Sequence, residues 1–114
     1  MIILPFPHKI LWPNGRTRNV KWKADEFKKH KTWAFNATKA KIPRCFNWNG
    51  EPIKLRYVIT PKTAHKIDRD NCVAAMKAYQ DGIALALKVD DSAFAVPVIE
   101  FAEPKKPGGV EVIL

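Results

Sequence analysis

Ile53-Lys54-Leu55-Arg56-Tyr57-Val58-Ile59-Thr60 alternates apolar and polar residues at its start, and Pro61 stops it. Such alternation puts Ile53, Leu55, Tyr57 and Ile59 on one face of a β-strand. The opposite face carries Lys54 and Arg56 and is therefore wet or in contact with something anionic. Beyond Pro61, Cys72, Met76, Tyr79, Ile83 and Leu87 recur at steps of four, three, four and four, one apolar stripe of an amphipathic helix. That stripe reads as core and needs no cofactor. Asp70 or Asn71 can serve as the N-cap of this helix.

Outward from this pair the chain supplies the rest of a small domain. Ile2-Ile3-Leu4 reads as a short strand that Pro5 and Pro7 confine to an edge. Pro13-Asn14-Gly15 is a strong turn signal, with Arg16 and Arg18 just beyond it. Phe27, Trp33 (or His30), Ala34 and Ala37 recur at helical spacing between about Lys23 and Lys39, with lysines on the other side. Residues 41 to 52 form a connection, with Phe46 and Trp48 as buried aromatics. Two more strands are expected, Ala95 to Phe101 and Val110 to Leu114, joined by the turn Pro104-Lys105-Lys106-Pro107-Gly108-Gly109. The expected architecture is α+β, a small mixed β-sheet packed with two main helices in one domain spanning residues 1–114. A chain of 114 residues holds one modest core, and oligomerisation would help it.

Charge is distributed unevenly. The net charge is +9, yet residues 1–66 carry 15 Lys and Arg against three acids, whereas residues 67–114 carry five against eight. A basic portion of this strength attracts polyanions, of which nucleic acid is the commonest. A solubilising surface is the plainer alternative. No apolar run approaches a membrane span, and the N-terminus lacks a positive region before its short apolar stretch, so the expected location is cytoplasmic. Cys45 and Cys72 have no metal-ligand spacing and read as reduced packing thiols.

Against this basic background, Asp68, Asp70, Asp81, Asp90 and Asp91 place five carboxylates within 24 residues. Asp68 and Asp70, one residue apart, project to the same side of an extended segment entering a helix. Magnesium usually takes only one or two carboxylates and fills its shell with water and phosphate oxygens, so two or three aspartates suffice. Asp91 requires Leu87-Lys88-Val89 to turn the chain back, because the helix alone carries residue 87 about 25 Å from residue 70. Lys77 lies seven residues after Asp70, within about 20° of two full turns, on the face opposite the core stripe. It can lean toward a phosphate or pair with Asp81 at i,i+4. Each acid also has a plain structural role open to it: Asp70 as a cap, Asp68 paired with Lys66 or Arg69, and Asp90-Asp91 as turn residues. A calcium loop starting at Asp68 would want Gly and Glu where Val73 and Tyr79 stand. No nucleophile elbow or phosphate-cradling glycine loop is present, and His8, His30 and His65 are scattered.

Asp68-Arg69-Asp70-Asn71, the amphipathic helix with Lys77 and Asp81-Gly82, and Val89-Asp90-Asp91-Ser92 together resemble the RusA family of Holliday junction resolvases, particularly its phage-borne members. Leu4-Pro5-Phe6-Pro7, the Pro13-Asn14-Gly15-Arg16 loop and the closing Gly109-Val110-Glu111-Val112 extend the likeness over nearly the whole chain. The resemblance implies a homodimer that cleaves four-way DNA junctions by paired symmetrical nicks, with magnesium as cofactor and manganese as a substitute. It implies Asp68, Asp70 and Asp91 as metal-binding carboxylates and Lys77 as catalytic lysine. Family members place that lysine four residues after the second aspartate, where this chain has Ala74. Arg16, Arg18, Lys21, Lys23, Lys66 and Arg69 are expected to hold the DNA backbone, since phosphate contacts position a protein without reading sequence. The alternatives are a basic DNA-binding module without cleavage and a basic structural protein of a ribonucleoprotein.

Overall fold

The computed structural model describes residues 2–13, 19–42, 46–64 and 66–114. In chain order the elements are β1 (Ile2–Leu4), α1 (Val20–Lys41), β2 (Arg56–Thr60), α2 (Arg69–Ala75), α3 (Lys77–Leu87), β3 (Val98–Phe101) and β4 (Gly109–Ile113). Single 3₁₀ turns stand at Lys9–Leu11 and Asp91–Ala93. The protein is α+β, with a four-stranded mixed sheet in the order β1-β4-β2-β3.

β2 is a central strand, and its alternation decides which face of the sheet is dry. Leu55, Tyr57 and Ile59 are buried, and the register sets Tyr57 beside Val112 and Ile99, and Ile59 beside Val110. Ile2 and Leu4 continue the same face through β4. Burying each such side chain contributes about 1.5–3 kcal/mol. Ile53 lies outside the strand but still bridges to Phe94.

β3 and β4 are not the hairpin that the turn chemistry suggested. β3 pairs parallel with β2 on one side, and β4 pairs antiparallel with β2 on the other. The Pro104–Gly109 segment therefore passes the end of β2, where Lys105 N–H donates to Pro61 O at 2.9 Å. Gly108 makes that passage at φ +79°, and a Cβ there would stand 3.0 Å from Thr60 O. β3 also begins later than expected, because Pro97 has no N–H for the ladder.

The second expected helix is two helices meeting at Met76, where the backbone opens to ψ −4°. The bonds from Met76 N–H to Cys72 O and from Gln80 N–H to Met76 O carry the helical course through the junction. All five residues of the apolar stripe, Cys72, Met76, Tyr79, Ile83 and Leu87, are buried in the core. Burial pushes the Cys72 thiol up to about 11, as expected of a packing cysteine. Cys45 lies outside the described residues. The N-cap is Asp68, two residues before the expected position: its side chain accepts from Asp70 N–H at 2.8 Å.

α1 packs along α3, and their closest approach is at Gly82, whose missing side chain leaves room for Lys31 O, Ala34 and Phe35. Asn19 caps α1 by accepting from Trp22 N–H at 2.9 Å. The inward residue of its middle turn is His30, while Trp33 remains 36% exposed. His30 can be buried because both ring nitrogens are engaged: Nδ1 donates to Glu26 O at 2.7 Å, and Nε2 accepts from His8 N–H at 3.2 Å. Trp33 lies against that ring, its own face toward Lys29.

Burial lowers the His30 pKa, outweighing the Glu26 carbonyl bond and carboxylate that raise it; Lys29 and His8 reinforce the lowering. The unfolded chain takes up the proton near pH 6.5 while the folded chain stays neutral to lower pH, so stability rises with pH across that interval. The contribution is complete above about pH 6.5 and is lost as the pH falls toward the depressed folded value. Thermal unfolding should give a lower Tm at about pH 5.5 than at about pH 7.5, with the difference reduced in His30→Gln. Equal pH dependence in the two proteins would contradict this role.

Candidate functional site

The five aspartates and the lysine singled out in the sequence lie at the start of, along and just beyond the α2–α3 helix pair. Asp70 and Lys77 are exposed, on α2 and α3 respectively, and Lys77 pairs with Asp81 one turn along α3. Asp91 returns to that pair through the end of α3. Lys88 adopts the left-handed conformation at φ 58°, and Val89 N–H donates to Ala84 O at 3.0 Å, which together reverse the chain in one turn. A lysine in that conformation costs roughly 1–2 kcal/mol.

The reversal sets Asp91 beside residues 11 and 14 positions earlier. Lys77 Nζ donates to Asp91 Oδ2 at 2.9 Å, and Gln80 Nε2 donates to Asp91 Oδ1 at 2.8 Å. The same ammonium lies 2.9 Å from Asp81 Oδ1. The i,i+4 pair with Asp81 that the spacing allowed is therefore formed, and Asp91, which the spacing did not suggest as a partner, joins it. The hydrogen bonds from Lys77 and Gln80 hold the Asp91 carboxyl below the usual range, and those to Asp81 and Asp91 raise the Lys77 ammonium. One cation between two carboxylates leaves a net negative charge at neutral pH. An exposed i,i+4 pair is worth only about 0.3–0.5 kcal/mol, so fold stability is a weak reason for this cluster.

The remaining acids have distinct surroundings. Asp68 caps α2 through one oxygen, and Asp90 caps the 3₁₀ turn, its Oδ2 accepting from Ser92 N–H at 3.1 Å and from Ser92 Oγ at 2.6 Å. Those Ser92 bonds lower the Asp90 pKa. The exposed Asp70 carboxylate accepts from no described residue. Asp68 and Asp70 are adjacent at the start of α2, whereas Asp91 is held further along beside Lys77. Among the described residues no three His, Cys, Asp or Glu side chains converge closely enough to share one ion. The donor set is all oxygen, which suits magnesium with a largely aqueous shell rather than a closed protein cage.

Near the cluster lies Tyr57, fully buried, whose hydroxyl has no hydrogen-bond partner among the described residues. Burial, with Asp81 and Asp91 as smaller causes, raises its pKa, so it is a neutral donor.

Two clefts border this region and share Trp12. One, of about 270 Å³, is lined by Lys23, Phe27, Ala74 and Lys77, which places an α1 lysine next to the candidate catalytic one. Ala74, the position where the resembled family carries its lysine, is in the wall of the same cleft. The other, of about 510 Å³, is lined by Lys66 and Asp68 among others. Lys21 and Arg69 are exposed. Arg16 and Arg18 lie outside the described residues. Sequence reasoning missed Gln80 and the part played by Trp12; Gln80 sits one turn from Met76 and Ala84, but nothing local marks it as a partner of Asp91.

No protein-family model and no curated protein matches this chain.

Proposed function

We propose that this protein is a magnesium-dependent endonuclease acting on branched DNA, of the kind the RusA likeness implies. The observation that carries the reading is the return of Asp91 onto Lys77 and Gln80. A carboxylate and an ammonium fourteen residues apart are held at 2.9 Å on an exposed face, in a position where structural need is slight. Asp68, Asp70 and Asp91 are the carboxylates available to the ion; since no three described ligands converge on one point, it would take one or two of them and complete its shell with water and phosphate oxygens. When bound, magnesium supplies charge neutralisation at the scissile phosphate and a more acidic water.

The chain's own residues do the rest. Lys77 is a fixed cation that can offset charge on a phosphate or leaving oxygen, and Gln80 orients Asp91. Lys23, which lines one cleft with Lys77, and Lys66, which lines the other with Asp68, are the lysines assigned to backbone phosphates, and their share in these clefts supports that role. Lys21 and Arg69 extend that hold, and Arg16 and Arg18 are assigned to it from the sequence. No helix among the described residues is long and apolar enough to cross a membrane. A homodimer, which would present two sites to opposite strands of a four-way junction, has an uncovered sheet face available, where Ile3 and Val98 are exposed.

A second reading, a basic DNA-binding module without cleavage, is favoured by one observation: both Asp91 oxygens are already occupied by protein donors. Magnesium-dependent cutting of a labelled four-way junction in preference to linear duplex supports the enzyme. Junction binding without cutting at any divalent ion supports the module.

A further inference from the structure

A second cleft lies beside the acid cluster and has Asp68 in its wall. It opens between the N-terminal segment and the loop that leads into α2, and its volume of about 510 Å³ is within the ~300–1,000 Å³ range of small-molecule clefts. Phe6 and Trp12 form its aromatic wall, their rings stacked at 5.5 Å and 20°. Trp12 is fixed there by its Nε1–H, which donates to Pro7 O at 3.2 Å. Lys9, Lys62 and Lys66, all exposed, stand around the opening, and Lys62 Nζ lies 5.6 Å from the centre of the Phe6 ring. Asn71, half-buried, offers an amide with both donor and acceptor character.

Among the described residues of its lining, three lysines stand against one carboxylate, that of Asp68, a balance that favours an anion. An aromatic wall with an amide at its end suits a flat heterocycle rather than phosphate alone. The two preferences together describe a nucleotide, its base against Phe6 and Trp12 and its phosphates on the lysines. Within a duplex no base can reach such a recess, so the occupant must be unstacked. Asp68 lies in the same wall, which puts the recess next to the acids.

We propose that this cleft takes one unstacked nucleotide of a DNA strand and so sets which part of a branched substrate lies over Asp68, Asp70 and Asp91. The inference rests on the nucleic-acid reading above and not on cleavage. A lysine rim alone would bind any polyanion; the base is what the aromatic wall adds.

The test is fluorescence anisotropy in metal-free buffer, comparing a short oligothymidylate with an abasic deoxyribose-phosphate strand of equal length. The wild-type protein should prefer the oligothymidylate by about tenfold. Lys62→Glu with Lys66→Glu should remove most of that binding, whereas Lys39→Glu with Lys41→Glu, the same charge change on the far end of α1, should weaken it by about threefold or less. All four lysines are exposed, so the variants should fold, which circular dichroism checks. Asn71→Ala should reduce the preference for the base while leaving abasic-strand binding unchanged. Equal affinity for the two strands, or equal losses in the two charge-reversed pairs, overturns the proposal. Thymidine monophosphate binding as tightly as the oligomer also overturns it, in favour of a free-nucleotide site. Failure of the wild type to cut a junction would sink the nuclease reading while leaving this result standing.

Discussion

Asp91→Asn is expected to lower magnesium-dependent cleavage of a four-way junction by about a thousandfold, on the scale of losing one preorganised electrostatic group from an active site. The substitution keeps the shape of the side chain and can keep a hydrogen bond from Gln80 or Lys77. It removes the negative charge that the Lys77 and Gln80 hydrogen bonds stabilise and that a cation would need. Stability should change by less than about 1 kcal/mol, since Lys77 and Asp91 are 48% and 53% exposed and solvent screens the pair. Binding to the junction in metal-free buffer should be retained or strengthened, because a negative charge leaves a surface that faces phosphate. Cleavage at the wild-type rate in Asp91→Asn would remove Asp91 from the chemistry.

Gly82→Ala is expected to be the most damaging conservative change in the fold. An added Cβ would lie 2.2 Å from Lys31 O and 3.0 Å from Ala34 Cβ and Phe35 N. The nearest of these atoms is backbone in the middle of α1, so relief requires the two helices to part. Parting them loosens Ala34, which is fully buried, and Tyr79 and Ile83 on the neighbouring turn. Overpacking of this kind costs about 3 kcal/mol, and in a domain of this size the Tm should fall by on the order of 15 °C. A Tm unchanged in Gly82→Ala would mean that α1 and α3 do not approach this closely. Gly50→Ala makes a useful contrast, because nothing lies within 4 Å of its Cβ position and only the positive φ of 88° is at stake.

The parts of the fold that were legible in the sequence are those where one periodicity governs a residue's whole surroundings. Leu55, Tyr57 and Ile59 alternate on a strand with one dry face, and Cys72 to Leu87 repeat along a helix, so burial followed from spacing. Strand order did not. Pro104–Gly109 has the composition of a tight turn, yet it carries the chain past the end of β2, because β2 is flanked by both later strands. Turn chemistry specifies a local bend, not which strand lies next. The choice between Trp33 and His30 was likewise undecided by spacing, and it was settled by His8 N–H and Glu26 O, polar partners that hydrophobic periodicity does not register.

For the candidate site, the four-residue spacing of Lys77 and Asp81 could be read directly as a pair. The return of Asp91 could not be read, since it depends on Lys88 taking a left-handed conformation that favours glycine or asparagine. Asp68 and Asp90 turned out to cap the elements they precede, a role that polar residues before helices commonly have. The cleft at Trp12 was hidden for a different reason. Its walls come from residues near positions 6–12 and 61–71, two segments far apart in the chain that no periodicity or motif spacing brings together.

The proposal that these acids and Lys77 cut branched DNA is decided by a four-way junction labelled in turn on each strand, incubated with the wild-type protein and with magnesium or manganese. Nicks are expected at symmetrically related positions in two opposing strands, dependent on the metal and absent from linear duplex of the same sequence. Intact strands across both ions, at protein concentrations that saturate the junction, would contradict it and leave a protein that binds DNA without cutting it.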